Sequence, residues 1–335
     1  MAAIKFQTEA EWHAIREVHI GGSDVASLFN WWIAPDGSQT ACHVYEQPPE
    51  GARFGGCLSS FKSSYRLWME KAGKLMPDTF LENERVQAGI HFEPAIAAWA
   101  QERWPEWKIR KVRRYIEHPD FSGWGASLDY EERVKGSPPV EIKNTDSMVY
   151  RDEWAEDDGE VVGLPLPYLL QIQSQIGAAG ASHGWILVCV GGNQLKRGLI
   201  ERHEPSQKAI AEAITAFWRG VEADAEPTWL ASYEAVGRLY AAGRAGSEAL
   251  DLSGEDEFAG LCAAYTEAKA RDKDIAAEVD HLKARIGRML GESTKAFGDG
   301  WSVSWPAIHR EGKLMPEKYS AALDYRGGMR VKERK

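Results

Sequence analysis

Two extended runs on either side of a Gly/Pro-rich turn restrict the fold of this chain more than any other feature. Trp124–Asp129 and Val140–Lys143 have strand-forming patterns, and Lys135-Gly136-Ser137-Pro138-Pro139 between them ends strands and reverses the chain. Pairing the two runs as a hairpin is predicted to bring the carboxylates of Asp129 and Glu141 to one end of a sheet. Strand side chains alternate between faces, so Glu141 and Lys143 share one side while Ile142 enters the core on the other. Five Glu-x-Lys triplets occur in the chain, but only Glu141-Ile142-Lys143 follows a strand-embedded Asp, 12 residues away, across such a turn. The others, for example Glu106-Trp107-Lys108 and Glu267-Ala268-Lys269, read as solvated surface.

The chemistry available to that hairpin is that of a metal-dependent nuclease. Two converging carboxylates and the carbonyl of Ile142 offer hard oxygen ligands suited to Mg²⁺ or Mn²⁺, ions that keep several waters and accept a substrate phosphate. A neighbouring ammonium, Lys143, can orient a water or offset charge on a phosphorane-like transition state. The competing structural reading is an amphipathic edge strand.

A chain of 335 residues can bury a large core in one big domain or two modest ones. Its 44% hydrophobic and 27% charged content is ordinary for a globular protein. No apolar run is long enough for a membrane span, and Met1–Lys5 lacks the apolar region of a signal peptide, so the expected location is the cytoplasm. Cys42, Cys57, Cys189 and Cys262 are scattered, with no C-x-x-C pair to indicate zinc or an iron–sulfur cluster. The net charge of -10 argues against a protein that coats nucleic acid non-specifically, yet it is compatible with an enzyme that confines positive charge to a channel. Lys108, Arg110, Lys111, Arg113 and Arg114 form one basic cluster that reads equally as a solvated strand face or a DNA contact.

The patterning predicts helices over 8–18, 61–74, 82–103, 167–179 and 205–221, with strands over 108–116, 124–129, 140–143, 185–190 and 195–202. Gly21-Gly22-Ser23-Asp24 reads as a loop capping the following helix, and Gly191-Gly192-Asn193-Gln194 as a hairpin turn. Segment 33–60 looks irregular, and Trp31 and Trp32 beside it are candidates for stacking on bases or for an interface. The expected fold is α/β (α+β), a mixed central sheet flanked by helices over residues 1–225. Residues 226–335 form a helical extension with short C-terminal strands and a polar tail. Within the extension, Ile275, Val279, Leu282, Ile286 and Met289 make one helical stripe about two heptads long, suited to a helical hairpin or an oligomer contact, with ordinary packing within the chain as the favoured reading.

Four further segments suit a nuclease. Trp12, Arg16 and Ser23 flank the Gly-Gly turn, where an Arg beside a helix start and a hydroxyl make a pocket for a terminal phosphate. Gly89-Ile90-His91-Phe92-Glu93-Pro94 sets a carboxylate beside a helix-interior proline, a costly pairing unless structure or function selects it. Tyr168-Leu169-Leu170-Gln171-Ile172-Gln173 opens a helix whose glutamines can hold a water or a phosphate. A strand ending in Gly191-Gly192 completes the order. Together with S-L-D and E-x-K these pieces resemble the lambda-type exonucleases, also called YqaJ-like viral recombinases, a branch of the PD-(D/E)xK nucleases. The resemblance spans about residues 8–225.

It implies that Asp129, Glu141, the Ile142 carbonyl and Glu93 hold Mg²⁺ or Mn²⁺, that Lys143 is the catalytic lysine, and that Gln171 supports it. It also implies that Arg16 and Ser23 bind the 5′-phosphate of a DNA end, with Trp12, Tyr168 and Gln173 as further substrate contacts. Family members digest one strand of duplex DNA from 5′ to 3′, leaving a 3′ overhang for a single-strand annealing protein, and several are homo-oligomeric ring trimers. The expected setting is phage or prophage recombination in a bacterial host, with duplex DNA ends as substrate and no membrane partner. A PD-(D/E)xK endonuclease or defence nuclease, and a non-catalytic DNA- or partner-binding protein on the same fold, are the alternatives. Asp129 is followed by Tyr130 where the family commonly has Gly.

Overall fold

The computed structural model describes residues 2–77, 84–227, 252, 255–290, 293, 295–298 and 301–304. The chain divides into two compact units, Met1–Leu239 and Tyr240–Lys335.

In the first unit the hydrophobic alternation along two neighbouring strands sets the layers. The strand β12 (His183–Val190) sends Leu187 and Cys189 to one face and Ile186, Val188 and Val190 to the other. It runs parallel to β9 (Pro139–Thr145), in the register Leu187↔Ile142. Val140 and Ile142 therefore join Leu187 and Cys189 in a core covered by Ile96, Ala97 and Ala100 of the helix α4 (Glu84–Arg103). The opposite face packs Ile186 and Val188 against Ile172 and Ile176 of α6 (Leu166–Ala179). Glu141 and Lys143, displaced by one residue from the α4 core, point toward α6.

The complete sheet has the order β13-β12-β9-β8-β5, with β13 (Gln194–Glu201), β8 (Tyr130–Glu132) and β5 (Ile109–Lys111). β9 and β12 are parallel and all other pairs antiparallel, so the fold is mixed α/β with helices on both faces. The connection from β9 to β12 is long, as a parallel pair requires. It carries α5 (Ser147–Glu153), the hairpin β10 (Ala155–Asp157) and β11 (Glu160–Gly163), and α6. A second core gathers Leu67 and Trp68 of α3 (Ser64–Lys71) and Ile210 and Phe217 of α7 (Glu204–Glu222). These pack against Ile116 and Ala126 of a three-stranded sheet, β1 (Ala2–Lys5), β6 (Arg114–Glu117) and β7 (Gly125–Ser127), in the order β1-β6-β7.

Three predicted elements differ. The run 108–116 is not one strand, because β5 and β6 belong to different sheets with Val112 turned into the second core between them. The run 124–129 likewise ends early: β7 stops at Ser127 and the chain crosses into β8. The hairpin partner of β9 is therefore β8, with Tyr130↔Val140 and Glu131↔Pro139, and Gly136 (φ 92) and Ser137 (φ 44) make the reversal. Segment 33–60 is ordered. β2 (Phe29–Ile33) is the centre of an antiparallel sheet flanked by β3 (Gln39–His43) and β4 (Arg53–Cys57). Trp32 is buried, edge-on to Phe54 at 5.7 Å, and Trp31 packs on the second core, so neither is free to stack on bases.

Gly21-Gly22-Ser23-Asp24 is itself helical from Gly22, as the short α2 (Gly22–Val25) following α1 (Glu9–Glu17). In the second unit α8 (Asp256–Leu290) runs for 35 residues, and a hairpin pairs β14 (Lys295–Gly298) with β15 (Trp301–Ser304). The α8 stripe is exposed from Ile275 to Met289, which corrects its reading as packing within the chain. The predicted polar tail lies outside the described residues. No helix among the described residues is long and apolar enough to cross a membrane.

Candidate active site

Asp129 occupies the crossing point between two sheets, one residue before β8. Continuing the β8–β9 register places it opposite Glu141, and its Oδ2 accepts the backbone N–H of Ile142 at 2.9 Å. The N–H and C=O of one strand residue lie along the same edge. The Ile142 carbonyl therefore faces the same side as the Asp129 carboxylate.

Glu141 is buried and its carboxylate is fully engaged. Oε1 accepts from Lys143 Nζ at 2.6 Å and from Gln171 Nε2 at 2.6 Å, while Oε2 accepts from Gln175 Nε2 at 2.5 Å. Gln171 and Gln175 are one helical turn apart on α6, so both reach the same carboxylate. Lys143 closes a ring by also donating to Gln171 Oε1 at 3.0 Å, and its ammonium lies 4.8 Å from the centroid of the Tyr168 ring. Burial disfavours the lysine's charge, but Glu141 and then Asp129 outweigh it and hold the ammonium above the usual lysine value. Asp129 behaves oppositely to a paired acid. Burial first, then the charges of Glu141 and Glu93, raise its carboxyl well above the ordinary carboxylate range.

Glu93 approaches from α4, and its carboxylate is bound to Lys111. Among the described residues no three His, Cys, Asp or Glu side chains form a ready-made metal cage. The donor set nevertheless fits a hard divalent ion. Glu141 and Glu93 are both close enough to Asp129 to oppose its ionisation, the Ile142 carbonyl lies beside it, and Mg²⁺ sites ordinarily rest on one or two carboxylates plus water and phosphate.

The basic run 108–114 is partly committed to structure. Arg110 and Arg114 each contact the buried Glu131 at 2.6 Å, and Lys111 holds Glu93. Gln173 is not a substrate contact in this arrangement. It is 2% exposed, donates to Glu201 O at 2.7 Å, and accepts from His203 N and Gln207 Nε2, so it ties α6 to α7.

A second polar cluster surrounds Asp24. Arg16 Nη2 lies 3.5 Å from Asp24 Oδ2 and 3.3 Å from Ser23 Oγ, and its guanidinium is 4.6 Å from the centroid of the Trp12 ring. Trp12 is fixed by a 2.8 Å bond from its indole N–H to Ser127 Oγ. Lys62 and Lys71 approach Asp24 at 3.6 and 3.9 Å, and Lys62 and Arg66 share Glu70. Four cations thus surround two carboxylates. Burial opposes ionisation of Asp24, yet Arg16, Lys62 and Lys71 outweigh it and hold its carboxyl below the ordinary range. Burial also brings Lys71 down to about 8, although its ammonium is anchored by the carbonyl of His19 at 2.8 Å.

Glycine joins the two clusters. A Cβ on Gly22 would meet Gln171 Cγ and the Gln171 carbonyl at 3.3 Å and Gln175 Cγ at 3.4 Å, so α2 rests directly on the glutamines that hold Glu141. The predicted residues therefore form two adjoining groups, Asp129, Glu141, Lys143, Gln171 and Tyr168 in one and Trp12, Arg16 and Ser23 in the other, with Glu93 at the margin of the first. Gln175, Lys62 and Lys71 are the polar groups that the sequence did not single out. Only the first had a local signal, its spacing of four from Gln171.

A mixed sheet that presents an Asp and a Glu-x-Lys triplet on adjoining strand ends, backed by a helix, is the layout expected from the resemblance to the PD-(D/E)xK nucleases. In agreement with it, residues 51–182 match the YqaJ-like viral recombinase domain, the family read from the motif order. That span contains Glu93, Asp129, Glu141, Lys143, Gln171 and Gln175 but not Arg16 or Ser23. Among solved structures the chain is similar to LHK-Exo, an alkaline exonuclease from Laribacter hongkongensis, and to LHK-Exo in complex with dAMP. Each is 17% identical, covers 64% of this chain and 94% of the exonuclease chain, and has a TM-score of 0.43. No curated protein matches this chain.

Proposed function

We propose that this protein is a Mg²⁺-dependent 5′ to 3′ exonuclease acting on duplex DNA ends, leaving 3′ overhangs for single-strand annealing in phage or prophage recombination. The observation that carries the reading is the closed ring of Glu141, Lys143 and Gln171 beside Asp129, inside the segment that matches the recombinase domain. Asp129, Glu141, the Ile142 carbonyl and Glu93 would hold the ion, Mg²⁺ or Mn²⁺. When bound, it supplies Lewis-acid stabilisation of charge on the phosphoryl and leaving oxygens.

The chain's own residues do the positioning. Lys143, fully protonated and held by Glu141, places a positive charge and a donor beside the carboxylates, where an attacking water or a phosphate oxygen would lie. Gln171 fixes the lysine, and Gln175 fixes the second oxygen of Glu141. The Asp24 cluster supports recognition of a terminal phosphate, because Arg16 and Ser23 face outward from an excess of buried positive charge. Holding the 5′-phosphate there, next to Gln171, gives a physical basis for direction. By resemblance the working form is a homo-oligomeric ring, and the partner that receives the overhang is an annealing protein.

The test is incubation with 5′-phosphorylated linear, 5′-hydroxyl linear and closed circular duplex in Mg²⁺, followed by strand-specific end labelling. Loss of the phosphorylated strand from its 5′ end supports the proposal. Cleavage of circles indicates an endonuclease, and binding without cleavage indicates a DNA-binding protein.

A further inference from the structure

We propose that α8 pairs with α8 of a second copy of this chain as an antiparallel coiled coil. Eight large apolar residues recur at alternating steps of three and four from Phe258 to Met289, and Ala268 and Asp272 occupy the two remaining positions of the series. All eight are exposed, by between 38% and 88%. Ten positions in perfect 3-4 alternation define five heptads, a repeat of 3.5 residues. That repeat keeps a stripe facing another helix over its whole length, here about 50 Å, whereas a helix packed on a globular core follows a 3.6 repeat.

Charge identifies the occupant and its direction. In a parallel, in-register pair Asp272 would face its own copy in the apolar seam, two like charges withdrawn from water. In an antiparallel pair with full overlap, Tyr265 meets Leu282 and Asp272 meets Ile275, near the two-fold axis and within reach of its own Lys269, 3.8 Å away. The flanking positions then bring Arg271 opposite Glu278 of the other helix, and symmetry repeats the pair. Both side chains are exposed in the single chain, and Arg271 makes an intrahelical contact to Glu267 at 2.7 Å. The surface is thus complementary to itself, as a two-fold contact must be. The inference does not depend on the catalytic reading.

The experiment is sedimentation equilibrium of the full chain, with circular dichroism to confirm that each variant is folded. Leu282→Asp with Ile286→Asp, both at exposed positions, is expected to halve the assembly mass. Arg271→Glu and Glu278→Arg should each weaken association roughly tenfold by turning two attractive pairs into repulsive ones, and the double charge exchange should restore it. A mass unaffected by the apolar double variant, as when the stripe is covered within the chain or by another protein, overturns the proposal. Failure of the charge exchange to rescue overturns the antiparallel pairing, because a parallel pair sets Glu278 against Lys283 instead.

Discussion

Asp24 and Asp129 lie in adjoining clusters and are shifted in opposite directions. Three cations within 4 Å stabilise the charge of Asp24 despite its burial, whereas Asp129 faces two other carboxylates and is driven toward its neutral form. One region gathers more cations than carboxylates, and the other crowds three carboxylates, Asp129, Glu141 and Glu93, where burial and then repulsion keep Asp129 from ionising. The first is suited to an anion and the second to a cation, and α2 resting on Gln171 and Gln175 holds them in contact. On the proposed function, a phosphodiester would meet the first region and a divalent ion the second.

Removing the charge logic of the second region should have the largest effect. Lys143→Ala and Asp129→Asn are each expected to lower cleavage of linear duplex by at least ~100-fold while end binding persists, measured by single-turnover digestion and gel shift. Wild-type digestion by either variant would place the chemistry elsewhere.

Stability separates the two aspartates next. Asp24→Asn leaves Arg16, Lys62 and Lys71 facing one another and should cost on the order of 3 kcal/mol in denaturant unfolding. Asp129→Asn should stabilise the metal-free protein at neutral pH. Its folded carboxyl binds its proton more tightly than the unfolded one, whose ordinary value is 3.8. Its contribution is complete below 3.8 and is lost as pH rises through the raised folded value. Added Mg²⁺ should reverse the ranking, stabilising the wild type and not the Asn variant. Equal responses of both aspartates would show that the electrostatic contrast is not what organises the site.

A smaller effect is expected at the anion side. Arg16→Ala should reduce the preference for 5′-phosphorylated over 5′-hydroxyl ends by about 10-fold or more, the worth of a charged hydrogen bond, with little change on hydroxyl ends. The smallest belongs to Gln175→Leu, which frees one oxygen of Glu141 and should lower metal affinity about 10-fold, read by titration calorimetry.

Much of this contrast was legible in the sequence, and the missing parts have physical causes. Alternation alone put Ile142 in the core and Glu141 beside Lys143, since a period of two leaves no other choice. Gln171 was visible as the first of three alternating glutamines, Gln171, Gln173 and Gln175, on one helix. The breaks at Val112 and at Leu128 were not visible, because a strand that changes sheets keeps its apolar pattern and both residues are buried in the second core. β3 and β4 escaped notice for the opposite reason: their outward faces are exposed, and Gly55-Gly56 weakens the strand signal. Lys62 and Lys71 come to Asp24 only through the packing of α3, which no local spacing encodes. The α8 series was read over two heptads, because Asp272 and Ala268 interrupt its apolar character midway.

The switch of sheets at Leu128–Asp129 gives the smaller sheet control over Asp129, the carboxylate proposed to hold the metal ion. β7 holds one side of Asp129 and β8 the other, so loosening of the β1-β6-β7 layer would pull Asp129 Oδ2 from Ile142 while β9, β12 and the ring around Glu141 stayed intact. On warming, such a molecule would fall silent before it melts, with the temperature of inactivation set by its lesser sheet.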